Sequence, residues 1–359
     1  MPGMQGGGLV ARSGPREEAA GLIAGLAAAA LRAEVDATPK PGLVDRANSG
    51  AHRDMDHALF VRSIGALTPF FRRFAAEALP GGRDQEARVG RDCPGRPDPD
   101  PGPDPLVGRL RAVGLQAERA MLRATGGINT HQGLIFSLGL LAASAGRLWG
   151  RYEILHGPGC GRRTPLRAET VCAAAARLAR GIVRRDLGGG EDGLQPTACC
   201  GVSGGPDTGF GRTGALPTRG EQLYRRYGLT GARGEAESGF RTVRVCGLPL
   251  LRRLRAMCPG EPERVHVAVL LSLMTAAADT NVVARHGPAA LDLVRAEATR
   301  ALRLGGPFTA AGMRVIEGLD RRFIALGISP GGAADLLAVS IFLQRLENDR
   351  DVDILRAVW

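Results

Sequence analysis

Lysine is almost missing from this chain: of the 47 lysines and arginines in 359 residues, only Lys40 is a lysine. Coding bias toward Arg, Ala and Gly leaves chance as the bland explanation. The sharper one is that a compact ammonium is wanted at this position in place of a planar guanidinium. Aromatics are also scarce, at 4%, so Leu, Ala and Val must do most of the packing. An apolar content of 44% is still ample for a core. The seven cysteines are an odd number with no CxxC pair. Cys199 and Cys200 are adjacent in a glycine-rich stretch and Cys172 falls in a helical pattern, which argues against a disulfide framework and for reduced thiols in the cytosol. No uninterrupted apolar run approaches the roughly 18 residues of a membrane span, and the opening MPGMQGGGLVARSGPREEAAG has no apolar core of a signal peptide. The expectation is a soluble, cytoplasmic protein with no membrane partner. GxxxxGK[ST] and HExxH are absent, which excludes a P-loop site as far as motifs can and argues against zinc.

The formal charge of +11 suits nucleic acid, an acidic membrane surface or a polyanionic small molecule. The basic residues are spread along the whole chain and no nucleic-acid-binding signature is present, so no nucleic-acid partner is expected.

What is present is helical periodicity. Residues 16–37 have an acidic first turn with Leu and Ala at helical spacing. In 54–78, Leu59, Ile64, Leu67, Phe71 and Phe74 form one stripe interrupted by Pro69, with Asp54 placed as N-cap. Further helices are predicted over 106–122, 134–146, 166–185, 262–278, 288–304, 309–325 and 331–347, and no convincing set of alternating strands appears. The expected fold is all-α: one multi-helix, orthogonal bundle-like domain over 16–347, with a flexible N-terminal extension (1–15) and a C-terminal tail (348–359). Two Pro/Gly-rich stretches, 80–105 and 187–220, read as long irregular surface insertions.

Five polar, glycine-containing islands lie at the helix junctions: KPGLVDRANSGAHRDMD (40–56), TGGINTHQG (125–133), GLTGARGEAESGF (228–240), DTNVVARHG (279–287) and SPGGAADL (329–336). Backbone amides and side chains converge most easily on a ligand at such junctions. Asp54 and Asp56, with His52 nearby, are able to reach one hard cation, or simply to cap a helix. Asn129 and His131 precede an apolar helix and suit either proton transfer or an ordinary cap. Arg233 with Glu235 and Glu237 offers a phosphate clamp and metal or base carboxylates, or else surface ion pairs. Asp279 and Asn281 follow the apolar run VAVLLSLMTAAA, where polar groups need partners. Together the islands point to one cleft that binds a polyanion and a metal.

In order, the strings PKPGLVDRANSGAHRDMD, MLRATGGINTHQGLIFSLGLL, QLYRRYGLTGARGEAESGF, DTNVVARHG and SPGGAADLLAVSIFL resemble the triphosphoribosyl-dephospho-CoA synthase family from about residue 20 to 347. The flanking residues look closer to the branch serving citrate lyase than to the one serving malonate decarboxylase. The resemblance implies that ATP and 3′-dephospho-CoA are joined and adenine released, giving the precursor of the prosthetic group on the citrate lyase acyl carrier subunit. A carrier-protein holo-transferase would then act on that product. It further implies Mg²⁺ as cofactor, held by Asp54, Asp56 and Glu237. On the same resemblance Glu235, His131 and Asp279 would form the catalytic set, with Glu235 or His131 as general base. Lys40, His52, Asn129, Thr130, Gly231, Arg233, Asn281 and Arg285 would bind substrate, Lys40 as a point charge for the triphosphate. A homo-oligomer is left open, and so is a non-catalytic member or an Arg-rich nucleic-acid binder. One departure stands out: His286 occupies the first of two positions that are usually glycine in the family.

Overall fold

The structure, a computed structural model, describes residues 15–79, 104–156, 166–188 and 217–348. Most of the expected N-terminal extension, both insertions and the C-terminal tail lies outside the described residues.

The described chain is all-α, with fourteen α-helices and no strand among the described residues. They are α1 (Pro15–Asp36), α2 (His57–Ala78), α3 (Pro105–Ala124), α4 (Gln132–His156), α5 (Ala168–Leu178), α6 (Ile182–Leu187) and α7 (Arg219–Tyr227). There follow α8 (Gly231–Glu237), α9 (Leu248–Met257), α10 (Pro262–Ala276), α11 (Thr280–His286), α12 (Pro288–Arg303), α13 (Ala310–Leu326) and α14 (Gly331–Glu347). One π-helical turn, Val243–Gly247, leads into α9.

The core is aliphatic, as the shortage of aromatics requires. Ile23, Leu26 and Leu31 of α1 are sealed against α2 and α14, and Phe71 and Phe74 of α2 fill the space towards α4. Helix α4 starts and ends beyond the predicted 134–146. Its stretch Gln132–Glu153 is long and apolar enough to cross a bilayer (mean hydropathy 1.3), a feature that a search for unbroken apolar runs misses. With 78% of that window buried among the other helices, it has the place of a core helix.

Three local corrections bear on the site. Residues 166–185 form two helices, because Gly181 takes φ +71 between α5 and α6. The N-cap of α2 is Asp56, whose carboxylate accepts from Leu59 N at 2.7 Å; Asp54 stays outside the helix. The end of the second insertion is ordered helix: Thr218 and Glu221 close a capping box on α7.

Candidate active site

The islands meet at a cavity of about 920 Å³. The N-terminal turns of α4, α7 and α14, and of the short α8 and α11, open onto it. Each brings the positive end of a helix dipole, a setting suited to negative charge. Arg219 of α7, Arg233 of α8, Arg241 just after α8 and Arg285 of α11 line the side formed by those three helices. Arg285 and Arg241 are exposed, whereas Arg233 is half-buried and paired with Asp186 at 3.2 Å. The α10–α11 chain bends by 61° ahead of α11, where Asp279 lines the cavity between this side and the buried one.

The opposite wall is buried. Lys40 is 1% exposed and its Nζ donates to Glu34 of α1, itself 3% exposed. Burial pushes the Glu34 carboxyl up against the opposing pull of Lys40. Asp279 is the N-cap of α11: Oδ1 accepts from Asn281 N (3.0 Å) and Val282 N (3.2 Å), and Oδ2 from Ala333 N of α14 (3.1 Å). It thus clasps two helix N-termini, although burial still raises its pKa. His131 is 1% exposed, with Nδ1 at 2.7 Å from Ser63 Oγ and 3.1 Å from Thr130 Oγ1. Its Nε2 is buried without a partner. Desolvation, then the charge on Lys40, lowers its pKa to about 3.

Between the walls, Glu235 accepts from Thr242 Oγ1 (2.5 Å) and Thr242 N (3.2 Å). Desolvation raises its pKa in spite of those bonds. His52 bonds Ser329 Oγ at 2.9 Å, and burial together with Arg285 lowers its pKa. Asn129 accepts from Gln132 N at 3.1 Å, closing the first turn of α4.

The cavity therefore gathers Lys40, His52, Asp54, Asn129, Thr130 and His131 from the first two islands. From the third and fourth it gathers Gly231, Arg233, Glu235, Asp279, Asn281 and Arg285. It does not gather Asp56 or Glu237. Asp56 is spent on the α2 cap, and Glu237 accepts from Gly181 N (2.7 Å) and Val183 N (3.1 Å). Lys40 is in the wall, but its ammonium is committed to Glu34. Asp45 and Asn48, inside the first island, hold their own loop: Asp45 accepts from the N–H groups of Lys40, Ala47 and Asn48, and Asn48 bonds Asp320 at 2.9 Å.

Sequence reasoning passed over Glu34, Arg219, Arg241 and Asp335, all of which line the cavity. Asp335 stands inside a quoted island and was findable. Glu34 carries no signal, since a helical glutamate ordinarily faces water.

Residues 20–353 match the family described as ATP:dephospho-CoA triphosphoribosyl transferase, CitG. The chain belongs to the CitG family. A probable 2-(5''-triphosphoribosyl)-3'-dephosphocoenzyme-A synthase of Albidiferax ferrireducens is 41% identical over 90% of both chains. The 2-(5''-triphosphoribosyl)-3'-dephosphocoenzyme-A synthase of Klebsiella pneumoniae is 39% identical over 88% of this chain and 87% of its own. A probable synthase 1 of Salmonella choleraesuis is 38% identical over 90% and 91%. No solved structure matches the chain significantly. The chain is thus an enzyme with triphosphoribosyl transferase activity.

Two CitG-family expectations can be set against this geometry. The three carboxylates expected to hold Mg²⁺ do not form a site, because two of them hold backbone N–H groups outside the cavity, and no group of three His, Cys, Asp or Glu suited to a metal exists among the described residues. The departure at His286 leaves the cavity untouched: its Nε2 bonds Gly327 O at 2.8 Å on the exposed side, tying α11 to the end of α13.

Proposed function

We propose that the cavity binds ATP and 3′-dephospho-CoA together and moves the 5-triphosphoribosyl group of ATP onto the 2′-hydroxyl of dephospho-CoA. The hydroxyl oxygen attacks C1′ of the ATP ribose, the C1′–N9 bond breaks, and adenine leaves with the bonding electrons. The product, 2′-(5″-triphosphoribosyl)-3′-dephospho-CoA, keeps all three phosphates. Such a reaction passes through an oxocarbenium-like state and needs a base at the attacking hydroxyl and an acid at the leaving base.

The observation that carries this reading is the division of the cavity into a cationic side and a buried acidic side. Helix N-termini and the arginines Arg219, Arg241 and Arg285 suit the triphosphate and the pyrophosphate, leaving the ribose over Glu235. Glu235 takes the hydroxyl proton: Thr242 fixes its orientation, and its raised pKa makes it a stronger base than a solvated glutamate. Asp279, Asn281 and Asn129 act as positioning residues through the helix starts they cap or border.

His131 is better suited to donate than to accept. Thr130 Oγ1 donates to Ser63 Oγ at 2.7 Å, which leaves the Ser63 hydroxyl to donate to Nδ1. The ring proton then sits on Nε2, a buried N–H directed at a substrate oxygen or ring nitrogen. ATP enters as its Mg²⁺ complex, the ion travelling with the phosphates, and the enzyme works in the cytoplasm.

Chromatography of adenine from ATP, Mg²⁺ and enzyme, with and without 3′-dephospho-CoA, tests the reading. Adenine is expected only when dephospho-CoA is present, together with a product whose mass retains three phosphates. Pyrophosphate release in place of adenine would show a different transfer.

A further inference from the structure

We propose that Asp335 of α14 is the catalytic acid that protonates adenine as it leaves. This inference deepens the transfer reading above and rests on it. Three carboxyl groups line this part of the cavity, Glu34 and Asp279 buried and Asp335 half-buried, and they differ in what they are given. Glu34 has the Lys40 ammonium, and Asp279 has the backbone N–H groups of Asn281, Val282 and Ala333. Asp335 lines the cavity, and no hydrogen bond from the described residues holds its carboxyl down. When close carboxyls compete for protons, the proton settles on the one with no donor to stabilise its anion.

The surroundings act in the same direction. Burial, then the charges on Glu34 and Asp279, push the Asp335 carboxyl well above the ordinary range. Its Oδ2 lies against the start of α4, so close that a Cβ on Gly133 would come within 2.4 Å of it. The glycine of the NTHQG island thereby keeps the path to this oxygen open. A second, independent sign of a ligand stands on the same wall. His131 is 1% exposed and the buried Nε2 has no partner, so a substrate atom is what remains to satisfy it.

The step balances simply. As C1′–N9 breaks, the electron pair passes into the purine, a ring nitrogen takes the Asp335 proton, and neutral adenine departs. Asp335 is left as a carboxylate, to be reprotonated from solvent before the next turnover. The hydroxyl proton of dephospho-CoA goes separately to Glu235. The charged groups that act on the Asp335 carboxyl are Glu34 and Asp279, and Lys40 and His131 line the same cavity.

The test compares ATP with an N7-methylated ATP analogue, whose base leaves without needing a proton. In the wild-type enzyme, kcat with ATP should fall on the basic side as Asp335 loses its proton, while kcat with the methylated donor stays level there. Asp335→Asn should lose about a hundredfold or more in kcat with ATP, keep equilibrium binding of ATP, lose the basic limb, and remain within a few-fold of wild type on the methylated donor. Asp335→Glu should recover part of the ATP activity. Equal losses on both donors, or a basic limb that persists in Asp335→Asn, would remove the acid role. If the wild-type enzyme itself releases no adenine, the transfer reading fails first, an outcome distinct from a silent variant beside an active wild type.

Discussion

The two sides of the cavity treat charge in opposite ways. On the α7–α8–α11 side, Arg241 and Arg285 remain exposed and keep their guanidinium groups in water. On the α1–α4–α14 side, Lys40, Glu34, His131 and Asp279 are each 3% exposed or less. Solvated cations are cheap to hold and free to reach towards a mobile triphosphate. Buried groups are costly, and they persist only where each has a partner or gives up its charge. The contrast separates binding from proton chemistry. It also answers the question of the lone lysine. Lys40 is a compact cation sealed under the cavity against Glu34, a place where a five-donor guanidinium would leave several donors unmet.

Variants at the boundary between the sides should have the largest effects on turnover. Glu235→Gln removes the base while leaving an acceptor for the Thr242 hydroxyl, so kcat should fall by about 10²–10⁴-fold with little change in KM for either substrate. A retained rate would move the base elsewhere. Next comes the buried pair. Lys40→Met leaves Glu34 charged and alone, or forces it to take a proton, and should cost about 3–5 kcal/mol in urea unfolding. Lys40→Met combined with Glu34→Gln should recover most of that loss. If Lys40 instead served as a solvated phosphate ligand, Lys40→Met would leave stability within about 0.5 kcal/mol and raise KM for ATP.

The pH dependence of stability sharpens the buried side further. His131 titrates near its ordinary 6.5 when unfolded but at about 3 when folded. Between those values the unfolded chain binds the proton that the folded chain refuses. The histidine therefore contributes stability that is fully present above pH 6.5 and is lost as pH falls towards 3. Raised carboxyls such as Asp335 and Asp279 work with the opposite sign, weakening the fold as pH rises through their folded values. The difference between wild type and His131→Gln isolates the imidazole. It should shift by up to about 1.4 kcal/mol per pH unit in that window and level off above it.

On the exposed side the expected effects are smaller and fall on binding. Arg285→Ala should raise KM for ATP about tenfold with kcat nearly unchanged, and the gap to wild type should narrow as salt is added. A large fall in kcat would mean that the two sides do not divide the work.

How much of this was legible depends on the length of the signal. Helices α1, α3, α10, α12, α13 and α14 fall within about two residues of their predicted spans, because apolar stripes and caps recur over fifteen residues or more. Helices α7, α8, α9 and α11 were missed. They run from seven to ten residues; α8 and α11 lie inside polar islands and α7 begins in the second insertion, where glycine suggests loop. They exist because packing and caps such as Asp279 hold them, a contribution that no local window contains. The gathering of the islands was readable from their order. The partners within the site were not: Glu34 meets Lys40 only once the chain has folded back on α1.

The finest distinction concerns two aspartates two residues apart, of which the sequence favours Asp54 as cap and offers both as metal ligands. The choice turns on where the chain leaves the loop, and Asp56 has the extended backbone of a cap while Asp54 borders the cavity beside His52. Asp56→Ala should therefore cost about 1 kcal/mol of stability and leave adenine release as in the wild type. Asp54→Ala should leave the urea midpoint in place and change the apparent affinity for the Mg²⁺ complex of ATP. The reverse pattern would put the cap at Asp54 and restore Asp56 as a site carboxylate. Equal effects at both would mean that the turn from loop to helix carries the binding role as a unit, with neither carboxylate acting alone.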